Sequence, residues 1–259
     1  MIARTARMPR TASFGLAAAV TRTATTLLRV AAPGGRDRWE RKNHAGRTVE
    51  WYARPASAAA GALAAGRGRP AAGAAVLVAG TCGAYDDIDI AGAGDPRRGF
   101  RAHLGALRDG EVTSGAEKLF GISAAAPVAG AMLKERPLDK VPAGVVIAGT
   151  AHVVNLVDVR PGRAAAAVLA PAAPGLLRKG PTGEPAAATM GTAAAVLPDD
   201  LGERAMLGDT GAHALGAALG AAVVAGNGRA GLVAHAAAPV AAAACGEKVS
   251  AAVESWGGG

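Results

Sequence analysis

At 259 residues the chain is long for one domain and short for two, so a single domain is the simplest reading. Half of it is apolar, mostly as Ala, with Leu, Ile, Val and Phe at roughly a fifth, yet a net charge of +8 is too weak a self-repulsion to keep such a chain open and disordered. Two cysteines, Cys82 and Cys245, exclude a disulfide scaffold.

Charge is segregated along the chain into blocks, where a soluble helix would spread it along one outer face. The first apolar stretch, Thr11 to Pro33, is broken by Arg22 and Arg29. Eight runs without Asp, Glu, Lys or Arg follow: Pro55 to Gly66, Pro70 to Tyr85, Leu119 to Leu133, Val141 to Val157, Ala164 to Leu177, Pro185 to Pro198, Thr210 to Gly228 and Ala230 to Gly246. This rhythm predicts an all-α polytopic transmembrane bundle of about nine to ten spans. Residues 1–10 are expected to be a disordered N-terminus, 86–117 a cytoplasmic loop, and 247–259 a C-terminal tail. The uncharged runs are only 12 to 19 residues long, against about 20 for a membrane span. Ala adds almost nothing to insertion, so such spans need partners. Gly216 and Gly220 in GALGAALGAA have the small-xxx-small spacing that lets helices approach closely in lipid. An Ala-rich soluble bundle of buried helices is the alternative.

Assigning alternate loops to one side puts more Lys and Arg on the set Arg36 to Arg47, Asp86 to Lys118, Asp158 to Arg163 and Asp199 to Arg204 than on its opposite, which makes that set cytoplasmic. The Arg4, Arg7 and Arg10 cluster then falls outside, against the rule. The positive balance does not require nucleic acid, because cytoplasmic loops of this kind face anionic lipid.

Four segments carry chemistry. TCGAYDDIDI closes an uncharged run with Asp86 and Asp87; paired carboxylates at a membrane boundary are costly unless a cation neutralises them, and oxygen ligands suit Mg²⁺. In AHVVNLVDVRPGRA, Asn155 and Asp158 share a helix face at a span end, with Arg160 and Arg163 available to a phosphate. In AMLGDTGAHALGAALG, Asp209 is an acid at a helix N-terminus, within reach of a metal. WERKNHAGRTVEWYARPA is basic, contains His44, and reads first as an anchor to anionic lipid. His213 and His235 read as packed polar residues.

Taken together and in this order, RKNHAGRTV, the DD pair, GFRAHLGALRDGEVTSGAEKLFG leading to Lys118, NLVD and LGDTGAHALG resemble the polyprenyl-phosphate N-acetylhexosamine-1-phosphate transferases of glycosyltransferase family 4, from Arg41 to Gly220. The resemblance implies a multi-pass plasma-membrane enzyme of cell-envelope glycan synthesis. It would move an N-acetylhexosamine 1-phosphate from a UDP-sugar to a polyprenyl phosphate at the cytoplasmic face, with Mg²⁺ as cofactor. By motif, Asp86 and Asp87 match the catalytic pair, Asp209 with Asp87 the metal ligands, and Lys118 the phosphate-contacting lysine. Asn155 and Asp158 match the polar pair of the nucleotide site, with Arg160, Arg163 and His44 as further substrate contacts and Asp158 also counted among the catalytic residues. Family members are often homodimers.

The chain also departs from the family. Pro161 stands where the family has a further aspartate, Met206 where an aromatic is common, and the family's late His-rich loop is missing. These departures keep open a catalytically lapsed member, acting as a membrane scaffold or lipid-binding partner in envelope assembly.

Overall fold

The computed structural model describes residues 8–43, 45–88, 105–111, 113–178 and 182–255. Each of the nine apolar stretches becomes a helix: α1 (Arg10–Ala31), α2 (Ala53–Gly66), α3 (Pro70–Ile88), α4 (Ser114–Leu133), α5 (Pro137–Val157), α6 (Arg163–Ala172, running on as a 3-10 turn, Ala173–Leu177), α7 (Glu184–Leu201), α8 (Gly208–Gly226) and α9 (Arg229–Ala244). A tenth, α10 (Gly246–Ser255), follows. Helix starts follow local chemistry. Thr113 caps α4 by accepting from Ala116 N–H at 3.0 Å, and Pro occupies the first turns of α5 and α7, where a missing N–H costs nothing.

The end contacts reveal an up-and-down arrangement. Arg10, at the start of α1, donates to Leu176 and Arg178 carbonyls just beyond α6, whereas Arg29, near its end, pairs with Glu50 ahead of α2. The end of α2 meets the start of α7 through Arg67 and Glu184, and the start of α9 meets the start of α5 through Arg229 and Asp139. The last turn of α3 and the first turns of α4 and α8 meet at the other end of the bundle.

At the centre lies α8, buried from Gly208 to Ala222 except at Asp209 and packed on α2, α3, α5, α6 and α7. Glycine makes this possible. A Cβ on Gly216 would come within 2.5 Å of Thr150 O, and one on Gly220 within 2.7 Å of Ile147 Cα, so the GALGAALGAA face is where α8 closes on α5. Most buried apolar residues are Ala, while Leu27, Val30, Leu63, Phe120, Val128, Met132, Val233 and Val240 point outward. Much of the larger apolar surface is thus on the perimeter.

Among the described helices only Pro137–Val157 is long and apolar enough to cross a membrane by length and composition; Pro70–Tyr85, Lys118–Leu133 and Arg163–Leu177 are apolar but shorter. The all-α expectation holds, with one small addition. The RKNHAGRTV stretch folds as an antiparallel hairpin, β1 (Glu40–Lys42) on β2 (Thr48–Glu50), and Glu50 N–H and C=O bond Arg204 and Met206 in the α7–α8 loop. The segment read as a lipid anchor is therefore docked onto the protein.

Two expected boundaries move. The loop expected from residue 86 begins later, because α3 continues through Ile88 and carries Asp86 and Asp87 in its last turn. The reason is that the Asp87 carboxylate is neutralised inside the bundle, as described below. The expected tail from residue 247 is helical to Ser255. Of the expected disordered N-terminus, residues 1–7 lie outside the described residues, and Arg10 opens α1.

Candidate functional site

A helix N-terminus leaves its first amides without partners. Leu207, ahead of α8, supplies no side-chain cap. The cap comes from α3 instead: Asp87 accepts from Asp209 N–H at 3.2 Å on Oδ1, and from Thr210 N–H at 2.9 Å and Thr210 Oγ1–H at 2.6 Å on Oδ2. Its fourth contact is the Arg54 guanidinium, with Nη1 2.7 Å from Oδ1. Two glycines admit this junction. A Cβ on Gly83 would meet Asp209 O at 2.3 Å, and one on Gly208, at φ +53°, would meet Arg54 Cζ at 2.3 Å.

Arg54 stands in the first turn of α2, 4% exposed, its Cζ 3.4 Å from the Trp51 ring centroid. Stacking on an aromatic face suits a weakly hydrated guanidinium in a buried place. Its Nε has no hydrogen-bond partner among the described residues. Beside it, Lys118 Nζ, one turn into α4, lies 2.5 Å from Asp209 Oδ2. Deeper in α8, His213 is 1% exposed with Nδ1 2.8 Å from Asp209 O, edge-on to His152 at 5.5 Å between ring centroids. His213 is thus packed as expected, whereas His235 is exposed on α9.

The α5 run ends at Asp158, its C-cap residue. Burial pushes the Asp158 carboxyl well above the usual carboxylate range, and Asp200, Asp209 and Asp87 push it further, while Arg54 opposes them. Asp158 therefore shares one electrostatic environment with Asp87, Asp209 and Arg54. It also lines a cleft between the hairpin, the α5–α6 loop and the α7–α8 loop, with Asn43, Arg160, Pro161, Asp200, Glu203 and Met206 among its walls. Both positions that depart from the family pattern, Pro161 and Met206, face this cleft.

Of the sequence-derived site residues, Asp87, Lys118, Asp158 and Asp209 come together at one end, with Arg160 exposed at the cleft. Asn155 is half-buried one turn back on α5, and Arg163 opens α6. Asp86 is described only by its place in α3, and His44 lies outside the described residues. Three participants were not visible as such in the sequence. Arg54 is the one charge between Glu50 and Arg67, directly ahead of the uncharged run that opens at Pro55. Asp200 lies inside a charged segment, and Thr210 is the first residue of an uncharged run.

Among the described residues no three His, Cys, Asp or Glu side chains form a metal-ligand group. Mg²⁺ asks for less, holding one or two carboxylates and taking phosphate oxygens and water for the rest. The hard oxygens of Asp209 and Asp87 fit that demand in kind. Comparison of the chain with protein-family models, with curated proteins and with solved structures found no match.

Proposed function

We propose that the chain is a membrane-embedded phosphoglycosyl transferase that moves an N-acetylhexosamine-type sugar 1-phosphate from a UDP-sugar to a polyprenyl phosphate at the cytoplasmic face, with Mg²⁺. The observation that carries this reading is the convergence of Asp87, Lys118, Asp158 and Asp209, from four separate motifs, around the buried Arg54 at one end of the bundle. A fold gains little stability from burying opposed charges in this way, since desolvation offsets their attraction. Two anionic substrates require such a mixture of cations and metal-binding carboxylates.

Outward-facing Leu, Val, Phe and Met around an Ala-Gly core support a lipid-facing perimeter, since close backbone packing replaces the hydrophobic drive that is absent between helices in a bilayer. On this reading α5 crosses the membrane on its own apolar character, and the shorter helices cross as part of the packed bundle. Arg22, exposed on α1, would reach the interface by snorkelling.

In the reaction an oxygen of the polyprenyl phosphate bonds to the sugar-bearing phosphorus, the bond from that phosphorus to the bridging oxygen breaks, and UMP leaves with the electron pair. Mg²⁺, when bound, would offset charge on the diphosphate, held by Asp209, and by Asp87 once it gives up one of its present contacts. Lys118 both holds Asp209 and stands ready for phosphate oxygens. Asp87, whose oxygens already serve Arg54, Asp209 and Thr210, orients the head of α8. Burial raises the proton affinity of the Asp158 carboxylate, so that its ionised form is suited to take a proton from the acceptor phosphate.

The test is a donor screen on detergent-purified protein with Mg²⁺ and a polyprenyl phosphate, scored by UMP release. At least one UDP-sugar is expected to turn over. No release from any common UDP-sugar, where a known transferase is active, would count against the proposal. The full engagement of Asp87 also favours a second reading, a lapsed member acting as scaffold, which any turnover lost in Asp87→Asn would eliminate.

A further inference from the structure

The end of the bundle opposite the site carries a positive charge that the transfer of a sugar phosphate does not use. Among the described residues it holds eight Lys or Arg against three acids, Glu135, Asp139 and Glu184, whereas bases and acids are nearly matched at the site end. Two of those acids are already engaged, Asp139 by Arg229 and Glu184 by Arg67. At the centre of the excess, three cations gather around Asn227, just beyond α8. Lys134 Nζ donates to Asn227 O at 2.8 Å, and Arg178 Nη2 donates to Asn227 Oδ1 at 3.1 Å. Arg10 Nη1 in turn donates to Arg178 O at 3.1 Å and to Leu176 O. Every one of these acceptors is neutral, and none of the three cations forms an ion pair among the described residues. Burial holds the Lys134 ammonium below its ordinary range; Asp139 opposes this and Arg69 adds to it. The segments 1–7 and 179–181, adjoining in sequence, contain no Asp or Glu that could balance the group. A Lys has three N–H donors and an Arg five, so the group has donors in hand for an anion.

The surroundings indicate which anion. Leu138 and Val141, in the first two turns of α5, and Leu177, directly before Arg178, are 70%, 71% and 84% exposed. Large apolar side chains left uncovered beside uncompensated cations suit a lipid surface, where the cations meet headgroup phosphates and the apolar groups meet the acyl chains. We propose that Arg10, Lys134 and Arg178 bind the headgroup phosphate of an anionic phospholipid at the end of the bundle away from the transfer site. One headgroup there would tie together the start of α1, the end of α4 and the segment that follows α6. A free phosphate ion would use the cations but gain nothing from Leu138, Val141 and Leu177. A zwitterionic lipid would bring its own cation against the three already present. Each Lys or Arg beside an anionic lipid is worth about fivefold in affinity.

The experiment titrates the detergent-purified full chain with dihexanoyl phosphatidylglycerol, with dihexanoyl phosphatidylcholine and with inorganic phosphate, reading half-saturation by thermal shift. Wild type is expected to be stabilised by phosphatidylglycerol at concentrations where the other two have no effect. Lys134→Gln/Arg178→Gln, whose amides can still donate to Asn227, should need roughly 30-fold more phosphatidylglycerol. Arg36→Gln/Arg38→Gln removes the same charge from exposed positions at the site end and should bind as wild type does. No response to phosphatidylglycerol, an equal response to phosphatidylcholine or to inorganic phosphate, or equal weakening in the two double variants overturns the proposal. If Lys134→Gln/Arg178→Gln does not fold, Arg10→Gln, exposed at the start of α1, decides: binding about fivefold weaker supports the proposal and unchanged binding refutes it. None of these readouts depends on turnover, so a chain that transfers no sugar phosphate still tests the lipid site.

Discussion

The two ends of the bundle differ in their most buried ion pairs. At the end away from the cleft, Arg67 with Glu184 and Arg229 with Asp139 are pairs in which the guanidinium is well exposed, at 39% and 47%, and Arg178 and Lys134 each donate to Asn227. At the other end Arg54 and Asp87 are 4% and 11% exposed, Lys118 and Asp209 14% and 26%, and the nearby Asp158 is held back from ionising by burial. The first arrangement is what helix ends in water or at a lipid headgroup region acquire at little cost. The second spends stability on bringing charges together under partial burial, the pattern expected where groups are arranged for chemistry.

This contrast can be broken at graded points. Arg54→Met removes one partner of the most buried pair and leaves Asp87 charged inside the bundle, so stability should fall by about 3–5 kcal/mol, read by tryptophan fluorescence on heating. A loss no greater than that of a surface variant would remove Arg54 from the account. Next comes Gly83→Ala. Its Cβ would meet the Asp209 carbonyl at 2.3 Å, so α3 must move off the head of α8, with an expected loss of about 1–3 kcal/mol and a larger fractional loss of turnover than of stability. If turnover falls only as far as folding does, the α3–α8 junction positions nothing. Smallest should be Arg67→Gln at the opposite end, where the 3.9 Å contact to Glu184 is partly solvated, costing under about 1 kcal/mol with turnover unchanged.

How much of this was legible in the sequence differs by level. All nine apolar stretches are helices, because a run free of charge and rich in Ala has little else to form, and the alternation of charged blocks placed the acidic motifs at one end. The limits of α3 were not legible. A boundary drawn at the first charge stops at Tyr85, but Asp87 stays helical because Arg54 and the α8 amides, 33 positions before it and some 120 after it, neutralise it. The hairpin Glu40–Glu50 was equally hidden, since β2 finds part of its hydrogen bonding on the α7–α8 loop. Arg54 itself reads as a flanking charge until Trp51 is seen to stack on it. Length and composition single out α5 alone among the described helices, the other apolar helices being shorter, while the outward placement of the larger apolar side chains is a property of the packed bundle.

The central claim is that one end of this bundle transfers a sugar phosphate to a lipid phosphate through Asp209. It is tested most directly by following label from a UDP-sugar into an organic-extractable polyprenyl diphosphate sugar, with Mg²⁺ present or chelated. Wild type and Arg67→Gln are predicted to form the lipid product only with Mg²⁺, and Asp209→Asn to form it about 10²–10³ times more slowly. Lipid product formed at wild-type rate by Asp209→Asn, or none formed by the folded wild type with any donor, would contradict the account.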